Sequence, residues 1–163
     1  MNTAATITLR PSPLTQEAFS PFGHIILRPE RVGQRLDAIA LESRRSHARA
    51  TLRTSMSPPA ELPIIVRNME RHRFSSQSFV PIDVSRILVV VAPHADGGGP
   101  DMTQVQAFIF SGNLGVHYNA DVWHYQMSPL DRPAIYAVLM YRDGTADDIE
   151  SITLRTPVAI SPI

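Results

Sequence analysis

A succession of short apolar runs, each broken by turn-forming residues, most limits how this chain can fold. The runs are rich in Val, Ile, Phe and Tyr, and Pro, Gly, Asp or Asn separates them. Many short strands at this spacing favour a sandwich or barrel over alternating β and α units. The sequence therefore predicts an all-β fold, with strands at residues 24–28, 50–56, 62–72, 86–92, 105–110, 115–119, 122–127, 134–141 and 152–157.

Two segments outside these runs have a different pattern. Residues 14–19 predict a short helix, because Thr15 can cap it, Glu17 suits its positive end and Pro21 stops it. The Arg-rich stretch 32–49 is weakly patterned and predicts either a helix or a long loop.

Glycine clusters predict two turns. Residues 93–100 contain three consecutive glycines, which could cradle a phosphate if a helix followed. A strand-like run follows instead, so we interpret this segment as a surface loop. Residues 111–115 predict a tight turn between two strands.

The composition excludes several kinds of partner and of catalytic group. The 163 residues fit one domain spanning residues 1–163, and the fifteen basic and fifteen acidic residues cancel, so no net charge attracts nucleic acid or anionic lipid. Every basic residue is Arg and there is no Cys, which excludes lysine Schiff bases, disulfides and cysteine nucleophiles. The start lacks a signal-peptide pattern and the longest apolar run, 87–92, is too short for a membrane span. We expect a soluble, cytoplasmic protein.

The first polar cluster lies at the end of the third predicted strand. Regular alternation would put Ile64, Val66, Asn68, Glu70 and His72 on one face. Such a face would fill a barrel core in its middle and reach a cavity at its end. The alternative is a solvated edge on which Glu70 pairs with an arginine.

The second polar cluster is unusually dense. Residues 115–125 contain two His, two Tyr and the only Trp, groups that suit a pocket for a small polar ligand. The alternative is a core strand in which Trp123 packs and His124 bonds to backbone.

The spacing of the two clusters resembles that of the cupins, β-barrel (jelly-roll) proteins with a central site. Asn119, Asp121 and His124 match the positions of the second cupin motif. The resemblance implies a cupin-like barrel with a few short peripheral helices. It also implies that a divalent metal ion, if one is bound, would be held by Glu70, His72, Gln77 and His124.

A closer resemblance is to the ureidoglycolate lyases, which cleave ureidoglycolate to glyoxylate and urea in allantoin (purine) catabolism. It rests on segments 14–19, 21–23, 70–72 with Gln77 and 79–81, 89–92, 106–108, 115–116 with Tyr118, and 122–124. The chain departs from the family pattern at Asn119, Tyr125, residues 73–75 and the segment 34–37, where Leu36 stands in place of a family His.

The resemblance implies a substrate whose central carbon carries both a hydroxyl and a urea nitrogen. His72 or Glu70 would be the base that takes the hydroxyl proton, and His124 the acid, with Tyr118 as the alternative donor. Contacts to the substrate are expected from Arg71, Gln77, Asn119 and Trp123. Alternation turns Arg71 away from Glu70 and His72, so the carboxylate anchor stays open among Arg35, Arg53 and Arg67.

Two alternative functions remain at this stage. The chain could be a cupin enzyme for another small hydroxy or keto acid, as the departures at Asn119 and Tyr125 suggest. It could also bind a small acid without catalysis, since Gln77 is a weak metal ligand. The resemblance further implies a homodimer.

Overall fold

The computed structural model describes residues 6–36 and 39–162, and β-strands dominate that part of the chain. A short helix, α1 (Gln16–Phe19), follows the first two strands. The strands are β1 (Ile7–Leu9), β2 (Ser12–Pro13), β3 (Gly23–Ile26), β4 (Arg49–Ser57), β5 (Ile64–His72), β6 (Gln77–Asp83), β7 (Arg86–Ala92), β8 (Gln106–Ser111), β9 (Gly115–Tyr118), β10 (Trp123–His124), β11 (Ser128–Pro129), β12 (Ala134–Arg142) and β13 (Ile149–Ile160).

The strands form two sheets. The larger has eight strands in the order β1-β13-β5-β10-β7-β8-β2, with β11 added beside β7. The smaller has five, in the order β3-β9-β6-β12-β4. Side chains of both sheets and of α1 form a buried core, which includes Phe19, Val91, Tyr118, Tyr136 and Val138. We call the faces that contribute to this core the inner faces.

The larger sheet is also covered on its other face. Val89 and Val91 of β7 belong to the inner core, whereas Leu88 and Val90 belong to a second cluster that also contains Trp123. A strand buried on both faces has no need of polar residues at alternate positions. This explains why the sequence of β7 is continuously apolar.

The structure confirms the all-β prediction and most of its elements. Each predicted strand has a counterpart, and α1 begins where expected, with the Thr15 hydroxyl accepting a hydrogen bond from the Ala18 N–H at 3.2 Å. Strand β6 was missed because Pro81 interrupts its run; the structure accommodates Pro81 next to a register shift.

The Arg-rich stretch is a loop where it is described. From residue 32 to 48 the described residues form turns, bends and an isolated bridge between Ser43 and Ser75, so the helical alternative is wrong. Residues 37 and 38, including the Asp37 position of the departing segment, lie outside the described residues. The glycine cluster at 97–99 is a loop, as predicted. Within the described residues, no helix has the length and apolarity needed to cross a membrane.

Candidate active site

Strands β5 and β10 bring three of the predicted site residues together. The two strands are antiparallel, and His124 lies directly opposite Glu70. The Nε2 atom of His124 is 3.7 Å from Oε1 of Glu70, and the rings of His124 and His72 stack with centroids 5.7 Å apart. One side-chain ligand atom from each of the three residues lies within 4.8 Å of the others. We call Glu70, His72 and His124 the central cluster.

The central cluster faces the inner core, and this requires a correction to the predicted alternation. Ile64 and Val66 do not share a face with Glu70 and His72, because they pack in the second cluster together with Met69. Val66 and Met69 are three residues apart, so the regular alternation fails between them. The pairing of β13 with β5 shifts register in the same region, and an irregularity of this kind changes which face a side chain takes.

Arg71 points to the opposite face of β5, as its position next to Glu70 predicts. Its guanidinium lies 5.0 Å above the Trp123 ring and forms ion pairs with Asp121 at 2.7 Å and Glu150 at 2.6 Å. Trp123 is fully buried there and donates from Nε1 to His94 at 3.0 Å. The structure therefore does not bring Arg71 or Trp123 to the central cluster, contrary to their expected substrate contacts. The packing of Trp123 matches the core-strand alternative.

Asp121, in the second cupin-like motif, adopts a backbone conformation that few residue types tolerate. Its φ is +77°, a left-handed conformation that suits glycine, and Asp and Asn tolerate it better than most. Its backbone N–H donates to the carbonyl of His72 at 2.7 Å. This turn therefore links the start of β10 to the end of β5.

Each histidine of the central cluster is fixed by a hydrogen bond from Nδ1. The Nδ1–H of His124 donates to the carbonyl of Val122 at 3.1 Å, since a carbonyl can only accept. The Nδ1 of His72 lies 3.1 Å from a carboxylate oxygen of Asp148. Both Nε2 atoms are buried and have no hydrogen-bond partner among the described residues. Each is therefore left with a lone pair available for a proton or a metal ion.

Asp148 is a site residue that the sequence analysis missed. It is buried, and it also accepts hydrogen bonds from the Ser75 hydroxyl at 2.6 Å and the Phe74 N–H at 2.9 Å. Arg45 adds a positive charge 3.8 Å away. These donors fix the position of the Asp148 carboxylate, which in turn holds the His72 ring in one orientation. No sequence signal marks Asp148, because its partners lie more than seventy residues away along the chain.

The smaller sheet contributes Gln77 and Tyr118 from neighbouring inner positions on β6 and β9. Tyr118 is fully buried, its ring stacks on His124 at 4.5 Å, and its hydroxyl contacts the sulfur of Met127. Burial raises the pKa of the Tyr118 phenol, which makes it a poor proton donor. The amide nitrogen of Gln77 contacts the sulfur of Met140, while its buried Oε1 has no partner among the described residues.

Asn119 lies apart from the central cluster. With His24, His117 and Glu42 it lines a depression of about 510 Å³ beside β3 and β9. Its expected contact with the substrate is therefore not supported by its position. Tyr125, the other departure, lies beside Glu70 and His124 in a smaller depression of about 350 Å³, whose remaining lining includes Asn68, Gln126 and Ser151.

The surroundings set the charges of the central cluster. Burial, helped by the charge of His124, lowers the pKa of His72 to about 4, so its imidazole is neutral at pH 7. Contact with the imidazole of His124 lowers the pKa of Glu70 despite partial burial, so this carboxyl is ionised. Glu70 pairs with His124 and makes no ion pair with an arginine among the described residues. Because His72 is also buried, the alternative of a solvated strand edge with a Glu70–arginine pair is wrong.

The donor set fits a divalent transition-metal ion. Imidazole nitrogens and carboxylates are ligands that Zn, Ni and Fe accept. The two orphaned Nε2 atoms and the second-sphere acceptors on Nδ1 are the usual surroundings of metal-binding histidines. Gln77 would be the fourth ligand implied by the cupin resemblance.

Comparisons with known proteins agree with this architecture. The chain resembles a dTDP sugar isomerase from Desulfovibrio desulfuricans G20, with a TM-score of 0.50, 16% identity, and coverage of 80% of this chain and 82% of the other. The fold defines an all-β, cupin-like protein. Residues 6–161 match the family model described as ureidoglycolate lyase, and the chain belongs to the ureidoglycolate lyase family.

Relatives of this family match over most of their length. The ureidoglycolate lyase of Rhizobium etli CIAT 652 is 36% identical, with 91% of this chain and 92% of the relative covered. That of Brucella anthropi is 35% identical over 88% of each chain. That of Escherichia coli O9:H4 is 31% identical, with 86% and 91% covered.

Proposed function

We propose that this chain is a cytoplasmic lyase that cleaves ureidoglycolate to glyoxylate and urea in allantoin catabolism. The observation that carries the proposal is the family match over residues 6–161. The central cluster supports it, because a reaction that moves two protons needs ionisable groups close together in a partly enclosed place.

The reaction balances without an oxidant or a second substrate. A base removes the proton of the substrate hydroxyl, the oxygen forms a carbonyl, and the carbon–nitrogen bond breaks. The electron pair leaves on the urea nitrogen, which takes up a proton from an acid. Each correctly placed acid or base contributes about 10²–10⁴-fold.

We assign the base to His72, with Glu70 as the alternative, and the acid to His124. His72 is suited because it is neutral and Asp148 at 3.1 Å can stabilise the imidazolium that forms. His124 carries a proton on Nδ1, so a proton that it gives to the substrate comes from Nε2, the atom that lies 3.7 Å from Oε1 of Glu70.

A divalent ion held by Glu70, His72 and His124 would polarise the substrate hydroxyl and lower its pKa. The cluster would then lose its two histidines as proton carriers, since their lone pairs would bind the ion. Two other side chains near the central cluster could then contact the substrate. Gln77 can accept a hydrogen bond at its free Oε1, and Tyr125 lines the adjoining depression.

The test is to supply ureidoglycolate to the purified protein and follow urea and glyoxylate. We expect release well above the spontaneous rate, and a loss of at least 100-fold in His124→Ala. His117→Ala is the matched control, because His117 is equally buried but lies outside the central cluster. Product formation at the spontaneous rate would overturn the lyase proposal, and full activity in His124→Ala would overturn the role of His124.

A second candidate is cleavage of a different small hydroxy acid. It is favoured by Tyr125, which lines the depression beside Glu70 and His124 at a place where the family usually has His. A panel of small hydroxy and keto acids would separate the two candidates. Thermal stabilisation by an acid that is not turned over would instead support a binding protein.

We also propose a homodimer. Strand β4 pairs only with β12 in the described part of the chain, and its outer face carries Leu52 and Met56, which are 69% and 68% exposed. A long, exposed edge strand with apolar side chains offers unpaired backbone groups that a second chain can bind. Light scattering of the wild type and of Leu52→Glu tests this; a monomeric wild type would contradict it.

A further inference from the structure

The substrate of the proposed reaction carries a carboxylate, and a cation near the central cluster is needed to hold it. Arg71 does not meet this need, because it faces away and pairs with two acids. Arg45 pairs with Asp143 and lies beside Asp148. The other arginines that pair with acids are Arg44, Arg73, Arg86 and Arg132.

Arg53 is placed differently. It lies in the middle of β4, directly opposite Val138 of β12, and Val138 is in turn opposite Phe79 of β6. Directly opposed residues of antiparallel strands project from the same face. Because Val138 is buried in the inner core, Arg53 projects from the inner face of the smaller sheet, the face that also carries Gln77 and Tyr118.

Arg53 helps to lower the pKa of Glu70 through its positive charge, by less than His124 and His72 do. It lies at an exposed position and makes no hydrogen bond or ion pair with another described residue. Its donors are therefore free, in a planar arrangement that matches a carboxylate.

We propose that Arg53 binds the carboxylate of the substrate and so sets the preference of this site for small α-hydroxy acids. The carboxylate would lie between Arg53 and the central cluster, with the hydroxyl directed at Nε2 of His72 and the urea nitrogen at Nε2 of His124. This inference rests on the proposed function for the identity of the substrate. The recognition of a small carboxylate does not depend on turnover.

Arg49 offers a matched control on the same strand. It is four residues away on the same side of β4, opposite Arg142 at the end of the pairing. Arg49→Met therefore removes one positive charge from β4 without removing the proposed anchor. Both positions are exposed, and both variants are expected to fold, which a thermal melt checks.

The experiment measures binding and turnover in the wild type, Arg53→Met, Arg53→Lys and Arg49→Met. Calorimetry with glycolate, and with uncharged glycolamide as the comparison, reports carboxylate recognition. We expect Arg53→Met to weaken glycolate binding and raise the KM for ureidoglycolate by about 10- to 100-fold, the usual cost of losing a charged hydrogen bond. We expect Arg53→Lys to recover part of the loss and Arg49→Met to behave as wild type.

The outcomes separate the two proposals. Turnover of ureidoglycolate with an unchanged KM in Arg53→Met overturns the role of Arg53 and leaves the lyase proposal standing. Glycolate binding that depends on Arg53, without turnover of ureidoglycolate, supports the anchor and overturns the lyase proposal. Equal losses in Arg53→Met and Arg49→Met overturn the anchor, because a general charge effect would then explain them.

Discussion

The ring of Tyr118 lies flat against the imidazole of His124, with centroids 4.5 Å apart and planes inclined by 10°. The stack comes from β9 of one sheet and β10 of the other, so it joins the two sheets at the central cluster. Together with the hydrogen bond to Val122 it leaves the His124 ring one orientation. Tyr118 thus contributes its ring, while its hydroxyl faces Met127.

We therefore expect that mutations can separate the role of the Tyr118 ring from that of its hydroxyl. Tyr118→Phe keeps the ring and should retain most of the wild-type kcat. Tyr118→Leu removes the stack, frees the His124 ring and should lower kcat by about 10- to 100-fold. Steady-state kinetics of both variants is the measurement. A large loss in Tyr118→Phe would show instead that the hydroxyl takes part in the reaction.

Asp148→Asn is expected to lower kcat by about 10- to 100-fold, the usual effect of altering the partner of an active histidine. The variant keeps the shape of the side chain but weakens the hold on His72 Nδ1. Asp147→Asn is the matched control, because Asp147 is the exposed neighbour. If Asp148→Asn raises KM while kcat stays at the wild-type value, Asp148 acts on substrate binding and not on His72.

Metal binding is predicted to require both histidines of the central cluster. Untagged protein dialysed against Ni²⁺, Co²⁺ or Zn²⁺ should retain about one ion per chain and gain thermal stability, since a ligand at 100 times its Kd contributes about 2.7 kcal/mol. His72→Gln and His124→Gln should lose both effects, and His117→Gln neither. Elemental analysis and thermal melts measure them; equal retention in all variants would place the ion elsewhere.

The stability of the metal-free protein should fall as the pH drops from about 6.5 toward 4. His72 has its pKa lowered from 6.5 to about 4 by burial, so in this range the unfolded chain binds a proton that the folded chain does not. The stability contributed by neutral His72 is complete above pH 6.5, and up to about 3 kcal/mol is lost by pH 4.

Urea unfolding at several pH values measures this dependence. His72→Gln should show a shallower decline than the wild type. Part of the decline should persist, because burial also lowers the pKa of His117. Parallel curves for the two proteins would contradict the assignment to His72.

Local patterns in the sequence predicted those features that depend on neighbouring residues. The strands follow from their apolar runs, and Glu70, His72 and His124 follow from motif spacing. The features that were missed depend on distant partners. Asp148 acquires its role from His72 and Ser75, and the face of Val66 is decided by a register shift against β13. Asn119 comes directly after Tyr118, the last residue of β9, and lies beside His117, away from the central cluster.

The break in alternation between Val66 and Met69 has a consequence for how this family can diverge. Which β5 side chains face inward depends on the number of residues between Val66 and the end of the strand. Losing or gaining one residue there would turn Arg71 inward and Glu70 and His72 outward. Substitutions between Val66 and Met69 therefore leave the direction of Glu70 and His72 unchanged. A single insertion or deletion there would reverse it, unless a second insertion or deletion nearby restored the spacing.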